Sequence, residues 1–148
     1  MSCKTQEKHM KRLAELVSQD LTYIFGERES GPNGAKKEYL QTGKTFLRAM
    51  AKDLGFAESK VYAMPGGISF AGEICLMGMW GYGNGIHVYI KENDHLGCIL
   101  YRKISHMADY RGDRNRFLPR GYLLCGYDEL LDKFLELKQE GGTDGKAA

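Results

Sequence analysis

Apolar side chains recur at every third or fourth position in two segments near the N-terminus, the spacing that places them on one face of a helix. The first segment runs from Lys4 to Phe25, with apolar positions at Met10, Leu13, Leu16, Val17, Leu21 and Ile24. The second helix is predicted from Thr42 to Leu54, with Gly43 near its start and Gly55 at a position where glycine commonly ends helices. The stretch GERESGPNGAKK between them is predicted to be an exposed loop.

After Gly55 the apolar period shortens to two, which indicates strands whose side chains alternate between two faces. A short extended piece around Val61 and Tyr62 comes first. The next strand has one buried face, formed by Ile68, Phe70, Ile74 and Leu76. Two further strands, GIHVYIK and GCILYRKI, follow the turns GYGNG and ENDHLG, and Asn84-Gly85 in the first turn is a strong hairpin signal.

The segment from Tyr127 to Lys138 is an amphipathic helix with acidic side chains in its first turn, where the helix dipole favours them. This order of elements predicts an α+β fold. We expect a three- to four-stranded antiparallel meander, with two N-terminal helices and one C-terminal helix packed on one face. Residues 1–140 are expected to form a single domain, followed by a flexible tail at 141–148.

The composition indicates an ordinary globular protein. Of the 148 residues, 43% are hydrophobic, and no apolar run is long enough to span a bilayer. The N-terminus is charged and lacks the apolar core of a signal peptide, so we expect a cytoplasmic protein without a membrane partner.

The cysteines and histidines do not form a recognisable metal or redox motif. No CxxC pair occurs among Cys3, Cys75, Cys98 and Cys125, and the four histidines show no metal-ligand spacing. Cys75 or Cys98 could pair with His87 as a nucleophile and its base. However, Glu73 beside Cys75 opposes a thiolate, so buried reduced thiols are favoured. We expect neither a metal nor another cofactor.

Large side chains cluster at the predicted tip of the first hairpin, in the stretch LMGMWGYGNG. Exposed, such a group would mark a contact surface; folded back, it would belong to the core or to a self-association interface. The sequence leaves these alternatives open.

The segment from Ser105 to Gly121 is the strongest candidate for function, because it is long and has neither a helical nor a strand period. Between Arg102 and Arg120 lie six basic side chains against two carboxylates, whereas the whole chain has a net charge of only +2. Arginine forks bind phosphates or carboxylates, and aromatic rings offer faces for stacking. The candidate binding residues are Arg102, Tyr110, Arg111, Arg114, Asn115, Arg116, Phe117 and Arg120. Gly112 is expected to lie in a turn that needs its conformational freedom.

Tyr101-Arg102 followed by Asp109-Tyr110-Arg111-Gly112-Asp113-Arg114-Asn115, after a glycine-rich sheet, resembles a pattern in uncharacterised small proteins of plasmids, integrative elements and phages. The resemblance covers about residues 66–117 and does not extend to the N-terminal helices. It implies a setting on a mobile genetic element, where small accessory proteins often inhibit a host defence nuclease or bind DNA. It does not imply a particular activity.

These observations lead to one favoured expectation and two alternatives. We expect a non-enzymatic protein that binds an acidic protein surface or a nucleic-acid backbone through this segment, with inhibition of a host defence complex of the anti-CRISPR or anti-restriction type as its concrete form. The first alternative is a small enzyme for a phosphorylated or nucleotide substrate, with His106, Asp109 or Asp113 as acid or base. The second is an oligomerising domain without a ligand. The target's identity and the oligomeric state, including a homodimer, are left open.

Overall fold

The structure is a computed structural model, and it describes residues 3–17, 35–64, 72–94 and 96–140. Several sequence predictions lie outside these ranges. They are the continuation of the first helix beyond Val17, most of the loop predicted at 26–37, the apolar strand positions Ile68 and Phe70, and the tail at 141–148. The last three residues of that predicted loop, 35–37, are helical.

Three α-helices lie in the described residues. They are α1 (Cys3–Val17), α2 (Ala35–Asp53) and α3 (Tyr127–Gln139), and a short 3₁₀ helix at Arg120–Leu123 precedes α3. Helix α2 begins at Ala35, so the prediction that it starts near Thr42 is wrong. Gly43 lies inside this helix and is buried. The helix passes so close to the sheet here that a side chain on Gly43 would collide with Ile74. A glycine that suggested a helix start is thus a point of close contact between helix and sheet.

The described residues form one antiparallel sheet with the strand order β1-β2-β3-β4-β5. The strands are β1 (Glu58–Met64), β2 (Glu73–Gly81), β3 (Asn84–Asp94), β4 (Gly97–Ile104) and β5 (Arg116–Leu118). The α+β class and the meander are confirmed, but the sheet has five strands rather than three or four. Strand β5 lies within the arginine-rich segment, which was predicted to have no regular structure.

The helices pack on one face of the sheet, which we call the helix face. Its core combines strand residues such as Leu76, Val88 and Ile99 with Phe46 of α2 and Phe134 of α3. Burial of this apolar surface is the main force that holds the layers together.

Buried polar contacts also fix the helices to the sheet. Lys103 of β4 donates from Nζ to the carbonyl of Leu137 at 2.8 Å and to Oδ1 of Asn84 at 3.1 Å. This ammonium therefore binds a carbonyl near the C-terminus of α3, where a helix favours positive charge. No helix in the described ranges is both long enough and apolar enough to cross a membrane.

The opposite face of the sheet, which we call the loop face, is also buried at its centre. Cys75 and Met77 on β2 and His87 on β3 have no exposed surface. The prediction that this strand has one buried face is therefore wrong. The chain between β4 and β5 contributes to this burial, because Met107 packs against the cluster of Met77 and the ring of Tyr110 lies 6.1 Å from that of His87.

Candidate functional site

Residues 105–115 connect β4 to β5 and cover the loop face; we call them the covering loop. The amide of Asp113 donates to the carbonyl of Lys103 at 2.9 Å, which brings the loop back against the end of β4. Within the loop, the carboxylate of Asp109 accepts hydrogen bonds from the amides of Ser105, at 2.9 Å, and Gly112, at 2.8 Å. The loop is therefore an ordered turn held by side-chain bonds to the backbone.

These bonds also determine the charge state of Asp109. Its partial burial alone would raise the pKa of the carboxyl group, but the hydrogen bonds from Gly112 and Ser105 outweigh burial and lower it. Asp109 is accordingly ionised at neutral pH and occupied with the turn. This argues against Asp109 as the acid or base of an enzyme, which needs a pKa near the working pH.

Arg102, a residue of β4, binds the covering loop to the sheet. Its side chain is 8% exposed and donates from Nη1 to Oδ1 of Asn115 at 3.1 Å. From Nη2 it donates to the carbonyl of Tyr110 at 2.6 Å and to the hydroxyl of Tyr89 at 2.8 Å. The guanidinium also lies 5.0 Å from the centre of the Tyr89 ring. Arg102 thus spans the loop and the neighbouring strand at once.

The charge of Arg102 is stabilised by neutral groups. Among the described residues no carboxylate forms an ion pair with it, and its Nε has no hydrogen-bond partner. A buried cation without a counter-ion is costly unless several dipoles surround it. Here a carbonyl, an amide oxygen, a hydroxyl and an aromatic face take that role. Arg102 is therefore part of the loop's internal support.

Gly112 lies directly against Arg102. Its φ is +62°, in the left-handed region, and an added Cβ would lie 2.7 Å from Cδ of Arg102 and 2.7 Å from the carbonyl oxygen of Lys103. Both the backbone conformation and the space thus require glycine at this position. The expected turn is confirmed.

His87 lies under the loop beside Arg102. Its Nε2 is 2.7 Å from the hydroxyl of Tyr62, and its Nδ1 is 3.5 Å from Nη2 of Arg102. Because a guanidinium can only donate, this arrangement fits a neutral ring with its proton on Nε2. Burial, followed by the charges of Arg102 and Lys60, lowers the pKa of His87 to about 4.

Cys75 shares this buried cluster but is not activated. Burial raises the pKa of its thiol to about 12, so the group is protonated at neutral pH. A cysteine nucleophile requires the opposite shift. The pairing of Cys75 with His87 therefore lacks the electrostatic setting of a catalytic dyad.

All four cysteines are free thiols. Cys75 and Cys98 are buried, Cys125 is half-buried and Cys3 is exposed. Within the described ranges, no three side chains of the histidine, cysteine, aspartate or glutamate type lie together in a way that could hold a metal ion.

The predicted binding residues divide into internal and external groups. Arg102 is buried, and Arg116 forms a bidentate pair with Glu140 at 2.8 and 3.0 Å, which ties β5 to the end of α3. Phe117 and Arg120 are half-buried. The external group lies on the covering loop and comprises Tyr110, Arg111, Arg114 and Asn115.

The external arginines are free to bind. Neither Arg111 nor Arg114 forms an ion pair or a side-chain hydrogen bond with another described residue. The backbone on either side of Arg111 is held by Arg102, at the carbonyl of Tyr110, and by Asp109, at the amide of Gly112, and the amide of Arg114 donates to the carboxylate of Asp113 at 2.7 Å. The loop therefore presents two unpaired guanidinium groups on an ordered support.

Lys60 on β1 belongs to the same surface, although sequence reasoning missed it. Its Nζ donates to the hydroxyl of Tyr110 at 2.6 Å and lies 5.1 Å from the centre of that ring. The two residues are far apart in the chain, and only the order of the strands brings them together. We call Lys60, Tyr110, Arg111 and Arg114 the basic face.

Comparison of the chain with protein-family models, with curated proteins and with solved structures found no match.

Proposed function

We propose that this protein is a non-enzymatic binding protein whose basic face engages an acidic protein surface or a nucleic-acid backbone. The observation that supports this most directly is the contrast between the two sides of the covering loop. On its inner side Arg102 donates to the carbonyl of Tyr110 and to Asn115, while the side chains of Arg111 and Arg114 have no partner among the residues that the structure describes. Charged groups without an internal role are available for a ligand.

Preorganisation adds to this argument. A flexible arginine loop would lose conformational entropy on binding, which weakens association. The turn around Asp109 and the contacts of Gly112 reduce that loss, because the backbone is already ordered. Tyr110, which is 52% exposed, supplies an aromatic face next to the charges. Exposed tyrosine beside arginine is a common composition for binding hot spots.

The resemblance to small proteins of plasmids, integrative elements and phages suggests a concrete form of this function. In that setting, the basic face would bind a host defence nuclease complex and inhibit it, as anti-CRISPR or anti-restriction proteins do. Protein and nucleic acid remain the two classes of target that the experiment separates.

Charge reversal on the basic face tests the proposal. Arg111→Glu/Arg114→Glu removes the two unpaired guanidinium groups, whereas a reversal at Arg116 would also break its pair with Glu140. A matched control is Arg48→Glu/Lys52→Glu, because both residues are exposed on α2 and the change in net charge is the same. The three proteins are used to capture partners from a bacterial lysate, with and without nuclease treatment, and captured proteins are identified by mass spectrometry.

We expect wild type and the α2 control to capture the same partner and the 111/114 variant to lose it. Capture that survives nuclease treatment indicates a protein target, and capture that nuclease abolishes indicates nucleic acid. Equal melting temperatures confirm that the variants are folded. Unchanged capture by the 111/114 variant would show that this surface does not carry the function.

A further inference from the structure

A cavity of about 370 Å³ opens on the loop face, next to the start of the covering loop. Its walls come from the start of β1, the β2–β3 turn and the first residues of the covering loop. The residues that line it include Glu58, Met79, Gly81, Tyr82, His106 and Met107. Cavities of this volume are large enough for a small ligand or a large side chain.

Part of the cavity wall is apolar and adaptable, because Met79 and Met107 line it and belong to one apolar cluster. Met77, Met79 and Ile104 form a buried cluster, and Met107 of the covering loop packs against it. Methionine side chains are flexible and polarisable, which suits them to surfaces that receive side chains of another protein. At the rim, Tyr82 is 97% exposed, so an aromatic ring stands in solvent beside an apolar opening.

The cavity and the basic face form one continuous surface. Glu58, in the cavity wall, and Lys60, in the basic face, are two residues apart on β1 and hence on the same side of the strand. Met107, in the cavity wall, precedes Tyr110 on the same covering loop. A partner that contacts Lys60 and the loop arginines therefore reaches the opening of the cavity.

We propose, on the basis of the proposed function, that the target is a protein segment that inserts an aromatic side chain into this cavity while its flanking carboxylates contact Lys60, Arg111 and Arg114. Central apolar anchors surrounded by charged contacts are the usual arrangement of protein interfaces. The methionines Met79 and Met107 in the wall favour this choice, because an apolar wall suits an inserted side chain rather than a phosphate.

Gly81 is a position in the cavity wall where an added Cβ would not clash. It lines the cavity, its φ lies outside the left-handed region, and an added Cβ would meet no atom within 4 Å. Gly81→Leu therefore places a side chain beside the opening. Gly121 is a matched control, since its Cβ would also meet no atom within 4 Å and it is not part of the cavity wall.

The probe is a short acetylated peptide with one tryptophan flanked on both sides by glutamates, compared with the same peptide carrying alanine for tryptophan. Binding is followed by fluorescence and by NMR of ¹³C-methyl-labelled methionines. We expect the tryptophan peptide to shift the methyl signals of Met79 and Met107. Replacing the tryptophan, or introducing Gly81→Leu, should weaken binding about tenfold or more, while Gly121→Leu leaves it unchanged.

The outcomes separate this inference from the proposed function. If both peptides bind equally, or if Gly81→Leu binds as wild type does, the cavity is not an anchor site and the inference is wrong. The proposed function then still stands, provided that Arg111→Glu/Arg114→Glu weakens binding. If wild type binds neither peptide, or if a single-stranded oligonucleotide shifts the two methyl signals instead, the inference is wrong, and the class of target is decided by the nuclease-treated capture.

Discussion

The guanidinium of Arg102 donates a 2.6 Å hydrogen bond to the main-chain carbonyl of Tyr110, and this bond joins the sheet to the loop that covers it. Arg102 lies on the inner side of the covering loop and the ring of Tyr110 on its outer side. Arg102 is buried and has its charge surrounded by dipoles, whereas the ring of Tyr110 is half exposed beside Lys60. A long connection without regular structure is thereby held in one conformation.

Replacing Arg102 should release the covering loop. Arg102→Met keeps much of the side-chain volume but leaves the Tyr110 carbonyl and the Tyr89 hydroxyl without their donor. Buried polar groups left unpaired cost about 1–3 kcal/mol each, so we expect the free energy of unfolding to fall by about 2–4 kcal/mol. Urea denaturation measures this fall, and hydrogen exchange should rise at residues 105–115.

Arg102→Lys is the informative comparison, because it keeps the charge but cannot form the fork that reaches Asn115 and Tyr110 together. We expect it to be destabilised too. Wild-type stability and exchange in the lysine variant would mean that the charge alone holds the loop.

A side chain at position 112 should disturb the same region. Gly112→Ala places a Cβ against Arg102 and the Lys103 carbonyl in a left-handed conformation, which costs about 1–2 kcal/mol from the backbone alone. We expect a loss of about 2 kcal/mol or more in the free energy of unfolding. Gly121→Ala, whose Cβ would meet no atom within 4 Å, should change it by less than about 0.5 kcal/mol. Similar effects of the two substitutions would contradict the described packing of the loop.

The stability of the protein should depend on the protonation of His87. Its pKa falls from an ordinary 6.5 to about 4 in the folded state, so the unfolded chain binds more protons between these two values. The contribution of neutral His87 is therefore complete above pH 6.5 and is lost as the pH falls toward 4. Over the full window this amounts to about 3 kcal/mol.

Urea denaturation at a series of pH values tests this in wild type and in His87→Gln. Other groups titrate in both proteins, so the difference between the two curves isolates the histidine. We expect the stability of wild type to fall more steeply than that of the variant between pH 6.5 and 4. Parallel curves would show that His87 titrates normally.

The sequence predicted the elements whose signal is local. The three-to-four-residue period of α1 and α3 and the glycine-rich stretch GYGNG were sufficient for the helices and the central hairpin. The turn itself falls at Tyr82 and Gly83, and Asn84-Gly85, predicted to lie in the turn, begin β3. Strand β5 was missed because three residues in an arginine-rich run offer no alternation, and a proline follows them. A buried thiol was expected at Cys75, but the burial of the whole second face of β2 was missed, because Met107, which packs against the cluster of Met77, lies about thirty residues later in the chain.

The candidate site shows the same limit. The sequence located an arginine-rich segment, but the side chains of its arginines have different surroundings that only the fold determines. Arg102 lies on the loop face of β4 and binds Asn115, and Arg116 binds Glu140 at the end of α3. The side chain of Arg114 binds no other described residue. Lys60 had no local signal, since its link to Tyr110 depends on strand order.

Truncation to alanine should therefore lower the stability of the protein at Arg116 and its binding at Arg114. Arg116→Ala removes two hydrogen bonds to a partly buried carboxylate, and we expect the free energy of unfolding to fall by about 1 kcal/mol. A double-mutant cycle with Glu140→Ala should recover most of that value as a coupling energy. Arg114→Ala should leave stability unchanged and weaken binding of the acidic peptide, because its guanidinium has no internal partner. A stability loss at Arg114, or a coupling energy near zero between Arg116 and Glu140, would contradict the division of these arginines into a binding and a structural group.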